Sequence, residues 1–318
     1  MTAQSLPTPS RFARTWETAG MLLVLAALFI GCSVFVDHFL TVTNLRGLAL
    51  AVATIGMVAC TMMFCLAAGD FDLSVGSVVA FAGVLGATVM NSTGSVAAGA
   101  GAALASGALV GFINGVFVAR VGINALITTL ASMQIVRGLS FIVSDGRAVG
   151  VRTDAFFALG NTAWLGVPVP VWLTAACFVL FGVLLNLTVF GRNALAIGGN
   201  KEAAHLAGVP VTRIKIVIFT LQGLVAAFAG LVLAARMTSG QPNTSQGLEL
   251  EVISACVLGG VSLSGGVARI GAVIAGVLIM GLVQNAMNLL NIPPFYQYVA
   301  RGCILLGAVM LDRLKSRA

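Results

Sequence analysis

Ten apolar runs constrain this chain more than any other feature. They fall at about 20–36, 47–67, 73–90, 95–118, 122–143, 168–189, 213–235, 250–264, 270–290 and 296–311. A helix needs roughly 20 apolar residues to cross the ~30 Å hydrocarbon core of a bilayer. Most of these runs have that length, and they lack the period-2 alternation of a barrel strand. Hydrophobic residues make up 59% of the 318 positions and charged residues 8%, whereas soluble domains carry roughly 25% charged residues. So few polar side chains cannot cover a water-exposed surface. The expected fold is all-α: a polytopic integral membrane protein of about ten transmembrane helices, with the bilayer as its main partner. The eighth run is short and glycine-rich, which suggests a broken or re-entrant helix.

The formal net charge of +7 does not point to nucleic acid, because the basic residues are scattered at the ends of apolar runs. An even number of spans returns the C-terminus to the side of the N-terminus. On this count Arg11, Arg14, Arg120, Arg192, Lys201, Arg213, Lys215, Arg269, Arg313, Lys315 and Arg317 share one side, and Arg46, Arg147, Arg152 and Arg236 the other. The positive-inside rule makes the richer side cytoplasmic. The expected organisation is a cytoplasmic tail 1–19, a transmembrane domain 20–312 with a cytoplasmic loop 190–212, and a cytoplasmic tail 313–318. Arg11 and Arg14 before the run at 20–36 resemble the start of a signal peptide. No small-residue cleavage site stands out, so the run reads as a retained first span. Six cysteines lie within apolar runs with no CxxC pair, which favours buried free thiols over disulfides or a metal site.

The stretch GGNKEAAHLAGVP, 198–210, interrupts this hydrophobic chain with adjacent charges and a histidine. Asn200 can cap a helix, Glu202 suits the positive end of its dipole, Gly208 can end it in a left-handed conformation, and Pro210 blocks continuation. Two turns over about 201–207 are too short to stand alone in water. Ala203, Leu206 and Ala207 share one small apolar face, suited either to a groove on another protein or to a solvated loop. Elsewhere Gly107, Gly111 and Gly115 form a GxxxGxxxG face that permits close helix packing.

Gly69, Asp70, Asp72 and Ser74 lie between the second and third runs. Asp72 or Ser74 can cap the third span; alternatively this is a gate at a helix break, because broken helices line transporter cavities. Asn124, Gln134, Gln222, Gln284, Asn285 and Asn288 are candidates to line a pathway for a neutral, hydrogen-bonding cargo, or to bond neighbouring helices. Arg137 and Arg301 fall inside spans and need partners there, an aspartate or the backbone rather than cargo.

Glu202-Ala203-Ala204 followed by Gly208 resembles the EAA–G signature of importer permeases of the ATP-binding-cassette class. "GDFDLSVGS" (69–77), "INALITTLASMQIVRGL" (123–139), "GRNALAIGGN" (191–200) and "CVLGGVSLSGG" (256–266) are similar to the ribose-type sugar branch of that class, and the likeness runs from about 17 to 313. Within the branch, "ARMTSGQP" (235–242) and "NAMNLLNIPPF" (285–295) most resemble the members that carry L-arabinose. The resemblance implies a bacterial inner-membrane subunit of a monosaccharide importer. It also implies that Asn200, Glu202, Ala203, Ala204, Leu206 and Gly208 form a coupling helix that docks on a cytoplasmic ATPase with two cassettes. A periplasmic sugar-binding protein and a second permease copy complete the machine. ATP is then used by the partner and no cofactor by this chain, which has no GxxxxGK[ST] loop to cradle it. The competing reading is an ion-coupled secondary sugar transporter, which needs intramembrane carboxylates; of these only Asp70 and Asp72 come near. A membrane enzyme lacks support: His38 and His205 are far apart, and no nucleophile–base or metal spacing is present.

Overall fold

A computed structural model describes the backbone of residues 11–315 and the side chains of 20–310. The side chains of the expected tails, 1–19 and 313–318, lie outside the described residues. The helices are α1 (Arg11–Phe35), α2 (Val42–Ala67), α3 (Val75–Thr93), α4 (Val96–Val116), α5 (Ala125–Ser144), α6 (Asp154–Asn161), α7 (Val169–Leu187), α8 (Val189–Gly199), α9 (Lys201–Leu206), α10 (Val211–Met237), α11 (Leu248–Leu258), α12 (Ile270–Leu289) and α13 (Pro294–Lys315). Among the described residues seven of them, α2, α3, α4, α5, α7, α10 and α12, are long and apolar enough to cross a membrane, α4 together with the π-helical turn Phe117–Val121 that follows it. The fold is all-α and polytopic, as the apolar runs predict.

Local chemistry sets the ends. Thr41 Oγ1 accepts the Asn44 N–H to start α2, Ser95 Oγ caps α4, and Asn124 Oδ1 accepts from Leu126 and Ile127 to start α5. Glycines in the left-handed region, Gly69 at φ 77° and Gly94 at φ 68°, close α2 and α3, where a side chain would be strained.

Helices α2, α3 and α10 form the centre, with 72%, 72% and 61% of their spanning windows buried, against 22–28% for α4, α5 and α7. The Gly107–Gly111–Gly115 face of α4 lies on α10: a Cβ at Gly107 would strike Gly223 O, and one at Gly111 would strike Phe219 O. The close approach expected of this face is present.

One end of the bundle gathers 145–168 and the segment after α10. There Val149–Gly150 pairs antiparallel with Ser239–Gly240, Asn91 Nδ2 donates to Gly150 O, and Asn161 Nδ2 donates to Ala235 O. The other end gathers 68–74, α8, α9 and 259–269, where the Gly266 N–H donates to Ala67 O and Gly198 packs on both.

The structure sharpens two expectations and corrects a third. The eighth run, expected to be broken or re-entrant, falls short of a full span: α11 has 11 residues, about 16 Å at 1.5 Å per residue. It is preceded by backbone at 238–247 that is irregular apart from the Ser239–Gly240 pairing, and that runs beside α3 with Gly240 against Gly83 and Ser245 O facing Gly76. Irregular backbone is tolerated at this depth only where protein or a cavity surrounds it. Second, 190–212 is mostly helical, because α8 precedes α9 and buries Ala194 and Ile197. Third, the free cysteines are buried at Cys60, Cys65 and Cys256 but half-buried at Cys32 and Cys177, and Cys303 is exposed.

Candidate functional site

Three regions carry the polar chemistry. The first is the α8–α9 end. Asn200 Oδ1 accepts the Ala203 N–H at 2.9 Å, Gly208 sits at φ 84°, and the Val209 N–H returns to Ala204 O at 3.0 Å. These bonds satisfy the termini of a two-turn helix. Leu206 is 86% exposed, and Glu202, Ala203 and Ala207 are exposed beside it. Ala204 departs from the outward set, since it is 5% exposed and packs into the chain's own core. The structure makes it an anchor of α9. An open cavity of about 560 Å³ lies alongside, lined by Ala119, Lys201, Glu202, His205, Thr212 and Lys215.

The second region is the α2–α3 connection. Lys215 Nζ lies 2.8 Å from Asp70 Oδ2, with both side chains 10% exposed. Burial pushes the Asp70 carboxyl above the usual aspartate range, and the Lys215 ammonium pulls it back. Asp72 Oδ1 accepts the Ser74 N–H at 2.8 Å and the Ser74 hydroxyl at 2.6 Å. Burial raises its carboxyl too, against those two bonds. Asn114 Nδ2 donates to Ser74 Oγ at 3.1 Å, and the Ser132 hydroxyl donates to Asn114 Oδ1. A continuous polar chain thus ties this connection to α4 and α5. Asn114 escaped the sequence reading; its position beside Gly111 and Gly115 was the available signal.

The third region surrounds α11. Arg137 Nη1 donates to Pro242 O and Thr244 O, both at 2.8 Å, and Glu249 is near enough to interact with its charge. Arg301 pairs with Glu251 and lies 5.1 Å from the Tyr298 ring centroid. The two arginines therefore find backbone and carboxylate partners. Glu249 and Glu251 correct the expectation that Asp70 and Asp72 are the only carboxylates near the membrane interior. Both sit in the first turn of α11, where the helix dipole favours them.

The six pathway candidates separate. Asn124 spends its oxygen on capping α5. Asn285 and Asn44 exchange two bonds, 2.7 and 3.1 Å, between α12 and α2. Asn288 accepts from Gln297 Nε2 at 2.9 Å. These three amides bond within the fold. Gln284 lines a small void with Glu251 and Arg301. Gln134 is exposed in the middle of α5. Gln222 is fully buried in α10 with neither side-chain atom hydrogen-bonded.

The model of the branched-chain amino acid transport system permease component matches residues 44–309. The chain belongs to this permease family. Within it, the chain is 62% identical over 307 residues to the L-arabinose transport system permease protein AraH of Escherichia coli strain K12, covering 96% of this chain and 94% of that one. It is 56% identical over 297 residues to the AraH protein of Azospirillum brasilense, covering 93% and 88%. The ribose import permease protein RbsC of Escherichia coli strain K12 is 35% identical over 321 residues, covering 99% and 100%. No solved structure matches. As a permease of this family the chain is a transport subunit and not itself an enzyme.

Proposed function

We propose that this chain is the membrane-spanning subunit of an ATP-driven importer of L-arabinose. The observation that carries the proposal is α9: a capped two-turn helix whose apolar face, Ala203, Leu206 and Ala207, points away from the chain. An exposed leucine on so short a helix has no stabilising role within the chain, and a groove on a cytoplasmic ATPase gives it one. Identity of 62% over almost the whole length to a permease named for L-arabinose supports the cargo.

In this reading both termini and α9 are cytoplasmic, the partner ATPase has two cassettes, and a periplasmic binding protein supplies the sugar. Two copies of the chain form the pathway. Gln134 supports the last point, because an amide at mid-span is costly against lipid and gains from facing a partner copy or a hydrated pathway. Asp70, Asp72 and Ser74 act as the inner gate, linked to the α9 cavity through Lys215. The ion-coupled alternative is disfavoured at Glu251, whose charge Arg301 compensates.

The test is copurification. With Gly208→Glu, the left-handed turn is strained and a charge is placed at the contact, so the variant reaches the membrane at normal levels but loses the ATPase. Full retention of the ATPase contradicts the coupling assignment.

A further inference from the structure

The segment Ser239–Gly247, SGQPNTSQG, is polar, lies alongside the central helix α3, and is irregular beyond the short pairing of Ser239–Gly240 with Val149–Gly150. It runs beside the N-terminal half of α3, and Arg137 holds two of its carbonyls from mid-α5. A narrow cleft opens beside it, bounded by Val79, Gly83, Gly230, Ser239, Gln241 and Thr244. Gln241 and Thr244 are half-buried, and Asn243 and Gln246 are exposed.

An arginine inside a span is costly. Here its cost is offset by its two bonds to the carbonyls of Pro242 and Thr244, in a stretch that has no helix or strand of its own. The side chains of the segment are neutral donors and acceptors, the chemistry that recognises a polyol without fixed charge. The cleft has room for little more than a water, so contact with a sugar requires it to widen. Gly76 leaves space for the segment, since a Cβ there would strike Ser245 O, and Gly240 of the segment lies so close to α3 that a Cβ on it would strike Gly83 O.

We propose that Ser239–Gly247 is the sugar-contacting element of the pathway, with Gln241 and Thr244 bonding the hydroxyls of a monosaccharide and Arg137 acting as a positioning residue that keeps the segment in register. This rests on the importer reading above.

The experiment uses proteoliposomes holding the permease, its ATPase and the binding protein. Gln241→Leu and Thr244→Val, each present at wild-type level, should lower L-arabinose uptake by about tenfold, one lost hydrogen bond to a desolvated hydroxyl being worth about one decade. In a background with the native cysteines replaced, Asn243→Cys should react with a water-soluble maleimide, and reaction should slow when sugar-loaded binding protein and ATP are added. Adding Arg137→Met should raise the labelling rate without sugar, because the segment is released. Wild-type uptake by both polar variants, or labelling that sugar does not change, overturns the inference. Absence of L-arabinose uptake by the wild-type complex overturns the importer reading instead, and if another monosaccharide is imported the same variants are scored with that sugar.

Discussion

Lys215 of α10 and Asp70 of the α2–α3 connection meet at 2.8 Å in a site from which both side chains are nearly excluded from water. Lys215 also lines the cavity beside α9. One residue therefore faces the exposed helix α9 and holds the connection that begins α3. Removing either partner strands a buried charge, at a cost of about 3–5 kcal/mol, whereas replacing both by uncharged groups is often close to neutral. Lys215→Met and Asp70→Asn should each lower the thermal midpoint in detergent, and the double variant should lose less than the sum. Additive losses would show that the two charges act separately.

Gly198 and Gly199 make a sharper pair. A Cβ at Gly198 would run into Ala67 O and the Gly266 N–H, whereas one at Gly199 meets nothing within 4 Å. Gly198→Ala should destabilise the protein by about 1–3 kcal/mol, as overpacking does, and Gly199→Ala should not. Equal melting of the two variants would contradict the close contact between α8 and the end of α2.

Gln222 buries an amide with no hydrogen bond. An unpaired buried polar group lowers stability by about 1–3 kcal/mol, so a leucine of similar size should leave thermal stability unchanged or higher. If the amide meets cargo when the bundle opens, Gln222→Leu should also reduce uptake. A variant that is less stable than wild type would mean that Gln222 has partners in the folded state.

The reciprocal Asn44–Asn285 pair predicts a structural phenotype. Interhelical polar bonds of this kind contribute about 0.6–1.7 kcal/mol. Asn285→Leu should lower stability by that order, with the choice of sugar unchanged in uptake competition. A changed sugar preference would return Asn285 to the pathway.

Much of this was legible before the structure, for physical reasons that differ by element. Asn200 and Gly208 are local signals, since a cap and a left-handed turn depend on neighbours in the chain. The Gly107–Gly111–Gly115 face is local as well, because its periodicity marks a packing surface. The break before α11 was only partly legible. Its polar residues separate two apolar runs, but their place alongside α3 depends on Arg137 reaching from another helix. Glu249 and Glu251 were overlooked, although a polar stretch entering an apolar run was the signal. Which amides pair is a tertiary fact: Asn44 and Asn285 are 241 positions apart, and no spacing rule connects them.

Uptake of labelled L-arabinose into proteoliposomes, with this chain, the two-cassette ATPase and the binding protein, tests the central claim most directly. Uptake should require ATP inside the reconstituted cytoplasmic compartment, continue when proton and sodium gradients are collapsed, and vanish with Gly208→Glu. Uptake that proceeds without ATP and follows an ion gradient would contradict the account.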